Sequence, residues 1–175
     1  VHHELDTAQL TTLPNGVRVR TLVKPQLLTA GVSVFARTGS AHETRANNGI
    51  SHVLEHMAFK GTTQRDVMRV NLDAERLGAE VNAHTDKDHT AYYMRGLAGD
   101  APQFVQMLAD IVRHATFPED ELERERAVIL QEVDEVEDDP VTMAYHLFDK
   151  ACWGLHPAAL PVIGQRRHIE RFTRT

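Results

Sequence analysis

The stretch Gly49 to Gly61 reads GISHVLEHMAFKG and carries three groups able to do chemistry together: His52, Glu55 and His56. On a helix, His52 and His56 lie about 40° apart in projection, one turn above each other. Two imidazoles stacked in this way can grip one metal ion without help from a loop. Glu55 projects about 60° to the other side of His52, so a carboxylate flanks the pair. Two neutral nitrogen ligands and a base beside an activated water form the layout of a zinc hydrolase. The order mirrors H-E-x-x-H, in which the Glu flanks the second His. The bland alternative is coincidence, because the chain has 11 His and an intervening Glu can serve a surface hydrogen bond. The neighbours weigh against it. Ile50, Val53, Leu54, Met57 and Phe59 make the helix apolar on nearly every side, which predicts a buried helix. Buried His and Glu cost free energy unless they are paired or bound to metal.

Two His leave a catalytic zinc one protein ligand short. Pro118 opens a long helical stretch in which Leu122, Glu125, Ile129, Glu132 and Val136 recur at spacings of three and four. They share one stripe facing the core. Two carboxylates on such a stripe are the informative exception. The alternative is that one or both pair with a buried Arg or cap a backbone group, and His84 and His89, on or beside strands, are rival third ligands. Glu123, Arg124, Arg126, Gln131 and Glu135 point away and read as a solvated face.

The elements that position these groups follow from the pattern. Thr11–Leu13 and Val17–Val23 flank Asn15-Gly16, a strong hairpin signal. Residues 30–36 read as a buried strand. Asn47 or Asn48 is available to cap the metal-site helix and Gly61 to stop it. A second helix spans 63–77, with Val67, Val70, Leu72, Ala74 and Leu77 toward the core. Strands at 79–84 and 89–97 come next. Asp100 is expected to cap a helix over 101–115, whose Phe104, Met107, Leu108, Ile111 and Val112 recur at helical spacing. The long helix ends before Asp138-Asp139-Pro140, and another covers 141–152. A loop-like tail ends in a helical start at Arg166. The expected class is α+β, a mostly antiparallel sheet covered by helices.

A formal charge of −6 gives no basic excess for nucleic acid. No apolar run approaches a membrane span. Cys152 is the single cysteine, so no internal disulfide can form. The expected compartment is a bacterial cytoplasm, with periplasm or mitochondrial matrix as alternatives.

The chain resembles the inverzincin metallopeptidases, the family of mitochondrial processing peptidase, pitrilysin and insulin-degrading enzyme. Asn47-Asn48-Gly49-Ile50 leading into His52-Val-Leu-Glu55-His56-Met-Ala-Phe-Lys-Gly61-Thr62 is similar to the processing-peptidase branch. The family places a distal zinc Glu about 76 residues after the second His, which lands on Glu132. Glu125 matches its other acidic position near the site. Asn82-Ala83-His84-Thr85 with Thr90-Ala-Tyr-Tyr93 resembles its substrate-facing edge strand, and Gly39-Ser40-Ala41-His42-Glu43 fits the loop before the metal helix. The resemblance implies a zinc endopeptidase that cuts short or unfolded peptides held as an added strand. On the same resemblance, His52, His56 and Glu132 are expected to hold one zinc ion, Glu55 to be the base, and Glu125 to orient a zinc-binding His. Residues 1–175 are then an N-terminal zinc-binding domain, expected to stop before its last strands. A second homologous half would come from a partner chain or a missing segment. Alone, the piece is expected to expose a sheet edge and apolar surface and to aggregate or dimerise. The rival functions are a non-catalytic scaffold subunit of that family and a module with a structural zinc.

Overall fold

The structure, a computed structural model, describes residues 8–174. Two strands, β1 (Gln9–Thr12) and β2 (Arg18–Thr21), form an antiparallel hairpin. Its turn is the expected one: Leu13 N–H donates to the Val17 carbonyl (2.8 Å), and Gly16 takes φ +85°. A second antiparallel sheet holds β3 (Thr29–Ala36), β4 (Glu80–Thr85) and β5 (Thr90–Leu97) in the order β3-β5-β4. The strand expected to be buried, β3, is instead an edge. Its residues alternate, and Phe35 on the outer face is 65% exposed. The buried strand is β5, where Thr90, Ala91, Tyr92 and Met94 are all covered, because it alone pairs on both sides.

Among the described residues six α-helices complete the fold: α1 (Ile50–Ala58), α2 (Val67–Arg76), α3 (Ala101–His114), α4 (Glu119–Asp138), α5 (Pro140–Trp153) and the short α6 (Arg166–Ile169). Helix α2 begins later than the sequence suggests. Asp66 caps it by accepting the Arg69 N–H (2.7 Å), while Thr62 Oγ1 takes the N–H groups of Gln64 and Arg65 in the preceding turn. Asp100 makes no side-chain cap for α3. Residues 98–100 form a 3₁₀ turn that runs straight into the helix. Phe104, Met107, Leu108 and Ile111 are buried as expected, whereas Val112 lies at the exposed margin.

Two apolar clusters result. One fills the space between the inner sheet face and α2 and α3, around Val70, Met94, Phe104, Leu108 and Ile111. The other joins α1, α4 and α6 through Val53, Met57, Leu122, Ile129, Val133 and Ile169. Helix α1 touches both, since Ala58 belongs to the first and Val53 and Met57 to the second. It is less buried than its composition predicts: Ser51, Val53, Met57 and Ala58 are covered, but Leu54 is 42% exposed. The polar trio occupies the margin between the two clusters, where a cleft can open. Among the described residues, no helix is long and apolar enough to cross a membrane.

Candidate metal centre

The start of α1 is set by a residue outside the helix. Neither Asn47 nor Asn48 caps it. Asn47 Oδ1 turns back to the N–H and hydroxyl of Thr44. The Glu43 carboxylate instead accepts the N–H groups of Gly49 and Ser51 and the Asn48 side-chain amide, each at 2.8 Å. These donors include two of the free helix-terminal N–H groups, and a negative charge suits that end of the dipole. Gly49 sits at φ +102°, and a Cβ there would come within 2.9 Å of Gly164 Cα. A backbone crossing this close admits only glycine. Glu43, buried and unassigned by the pattern, was invisible because sequence spacing does not say where a loop carboxylate folds back.

With the helix so anchored, His52 and His56 present their Nε2 atoms to each other at 3.3 Å, with ring centroids 4.6 Å apart. Glu132 Oε2 from α4 lies 3.6 Å from His52 Nε2 and 3.5 Å from His56 Nε2. The three donor atoms fall within 4.8 Å of one another, and no other such group of His, Cys, Asp or Glu occurs among the described residues. Glu125, two turns earlier on α4, is not in the cluster. Its Oε2 accepts from His56 Nδ1 (3.0 Å) and its Oε1 pairs with Lys60 Nζ (2.6 Å). A hydrogen bond on Nδ1 fixes the His56 tautomer and aims Nε2 at the cluster. His84 and His89 do not compete. They stand beside each other near Phe35 and Tyr93 and join no metal-binding group among the described residues.

The remaining predicted residues divide. Glu55 lies beside the cluster, and its Oε2 accepts the Thr85 hydroxyl at 2.5 Å. Thr85, expected to contact substrate, therefore spends its side chain on Glu55. Asn82 lines the cleft of about 380 Å³, together with His52, Glu55, His56, Phe59, Lys60, Glu125 and Glu132. Ala83 is buried, while the His84 side chain lies exposed beside Tyr93. The hairpin bond from Asp86 N–H to the His89 carbonyl (2.8 Å) sets the alternation of the ladder. Val81, Ala83 and Thr85 thus turn their main-chain groups to the open edge of β4. There Asn82 Oδ1 accepts the Ala83 N–H at 2.8 Å. Arg126, expected on the solvated face of α4, is half-buried and donates to the carbonyls of Ile169 and Phe172.

The electrostatics suit a cation. Burial, with the neighbouring His56, pushes the His52 imidazole down to about 4, so it is a neutral donor. Burial also raises the Glu132 carboxyl, opposed by His56 and reinforced by Glu55. Burial works the same way on Glu125, but Lys60 and His56 outweigh it and hold that group below the usual carboxylate range. Glu55, Glu125 and Glu132 against Lys60 leave the cleft two negative charges in excess, the complement of a divalent ion. Two imidazole nitrogens with a carboxylate oxygen form the donor set of a catalytic zinc site. His52 Nδ1 is buried without a hydrogen-bond partner among the described residues.

Residues 18–166 match the family described as Insulinase (Peptidase family M16). A Bacillus subtilis protein named as an uncharacterized zinc protease, YmxG, is 38% identical over 92% of this chain and 39% of its own length. The mitochondrial-processing peptidase subunit beta of Neurospora crassa is 37% identical over 95% of this chain and 35% of its own. The crystal structure of a Helicobacter pylori protease superposes with a TM-score of 0.90 at 27% identity, covering 97% of this chain and 41% of that one. An M16 inactive domain from Pseudomonas fluorescens superposes at 0.87 with 24% identity, over 96% of this chain and 41% of that chain, a likeness of fold alone. The chain spans between a third and two fifths of the length of the relatives it matches.

Proposed function

The chain belongs to the insulinase family, peptidase family M16, and we propose that it carries the metal-binding and base-bearing part of a zinc endopeptidase. One observation carries this reading: His52 Nε2, His56 Nε2 and Glu132 Oε2 converge in a cleft that Glu55 also lines. His52, His56 and Glu132 would hold one zinc ion, which when bound acidifies a water and polarises a carbonyl. Glu55 takes the proton of the attacking water on Oε1, since Thr85 occupies Oε2, and hands it to the leaving amine nitrogen. Glu125 keeps the His56 ring in place.

The substrate class follows from the edge of β4. A short or unfolded peptide can pair with the outward main-chain groups of Val81, Ala83 and Thr85, displacing the Asn82 amide from Ala83. Backbone pairing gives affinity with loose sequence preference, and because Asn82 lines the cleft, a peptide paired at Ala83 would pass it. His84, exposed beside Tyr93 and His89, would meet alternate side chains of the added strand. A second α/β half, from a further segment or a partner chain, would close the chamber over this edge; residues 1–175 would then be its N-terminal domain. A scaffold subunit has no use for a base held at 2.5 Å by a threonine next to a complete ligand set.

Glu55→Gln in the full-length protein tests the reading. It should keep its zinc by metal analysis and lose about 10²- to 10⁴-fold in peptide cleavage. Unimpaired turnover would remove Glu55 as the base.

A further inference from the structure

Lys60 follows the last turn of α1, and its side chain reaches across the cleft to α4. A lysine at this place can complement the helix C-terminus, a role that any exposed lysine can fill. Its geometry says more. Nζ stands 2.6 Å from Glu125 Oε1, with the two side chains 23% and 11% exposed, while Glu125 Oε2 stands 3.0 Å from His56 Nδ1. The His56 ring, the Glu125 carboxylate and the Lys60 ammonium thus form one line ending at the ligand cluster. Among the described residues Glu125 has no other partner, so without Lys60 one carboxylate oxygen faces a cleft that also holds Glu55 and Glu132. Repulsion from those two charges would swing it off His56.

We propose that Lys60 is a positioning residue of the metal centre. It pins Glu125, Glu125 pins the His56 ring, and Nε2 is thereby held in the direction a metal needs. The proposal rests on the zinc reading above.

The test exploits a conflict of signs. Lys60 is a positive charge next to a cation site, so charge alone says that removing it should tighten metal binding. Positioning says the reverse. Zinc dissociation constants of the full-length protein, measured by chelator competition, should weaken about 10-fold in Lys60→Met, at the low end of what loss of an outer partner costs. Lys60→Arg should restore most of the affinity, because it keeps the charge and the donor. In a Glu125→Gln background, Lys60→Met should cost nothing further, since the two residues act in series. Unchanged or tighter zinc binding in Lys60→Met, or full additivity with Glu125→Gln, overturns the proposal while leaving the zinc reading intact. Wild-type protein that takes up no zinc overturns both. If Lys60→Met fails to fold, Lys60→Arg decides: near-wild-type affinity supports the proposal, and a loss as large as that of Glu125→Gln overturns it.

Discussion

Helices α4 and α5 are separated by Asp139 alone, yet α4 buries Leu122, Glu125, Ile129 and Val133 while α5 buries no residue. Helix α5 is not short of apolar side chains. Val141, Tyr145, Leu147, Phe148 and Trp153 are all more than half exposed. The difference is one of partners. Helix α4 lies on α1 and α6, and its two inward carboxylates are satisfied there by Lys60 and by the imidazoles. Helix α5 presents a comparable apolar surface to solvent, as does the β1–β2 hairpin, where Leu10 and Val17 are at least half exposed. Apolar content predicts that a helix has a face to bury; which face finds cover depends on what the rest of the fold brings up to it.

Core and surface substitutions should separate the two helices most sharply. Ile129, fully buried in α4, should cost about 2–5 kcal/mol as Ile129→Ala. Phe148→Ser in α5 should stay within about 0.5 kcal/mol. Urea unfolding of the 175-residue chain measures both, and equal losses would mean that α5 is packed in solution.

A smaller effect should appear with pH in metal-free protein. The unfolded chain protonates His52 near 6.5 and the folded one only near 4, because burial opposes the charge. The unfolded state therefore binds the proton first as pH falls. Stability is full above about 6.5 and falls steadily toward 4, by about 2 kcal/mol at pH 5. His52→Gln should lose that part of the slope. An identical slope in both proteins would show that His52 is not held neutral by the fold.

The same contrast explains what could be read from the residues. His52, Glu55 and His56 were legible because helical spacing dictates which side chains share a face. Glu125 and Glu132 were legible as charges on an apolar stripe, and the choice between them came from the resemblance. The hairpin at Asn15-Gly16 and the core face of α3 followed from turn chemistry and period. Glu43 as the cap of α1, Thr85 as the partner of Glu55 and Lys60 as the partner of Glu125 follow from none of these. Each depends on segments brought together by the fold, and no local period records that. The burial of α1 and β3 was overestimated for a related reason: apolar residues on several sides do not ensure a neighbour on each side.

The central claim is that His52, His56 and Glu132 jointly hold one zinc ion. Metal analysis of full-length wild-type protein beside Glu132→Gln tests it most directly. The account predicts about one zinc per chain in the wild type and an affinity lowered at least 10-fold in the variant. Equal zinc content and equal affinity in the two proteins would place the third ligand elsewhere and contradict it.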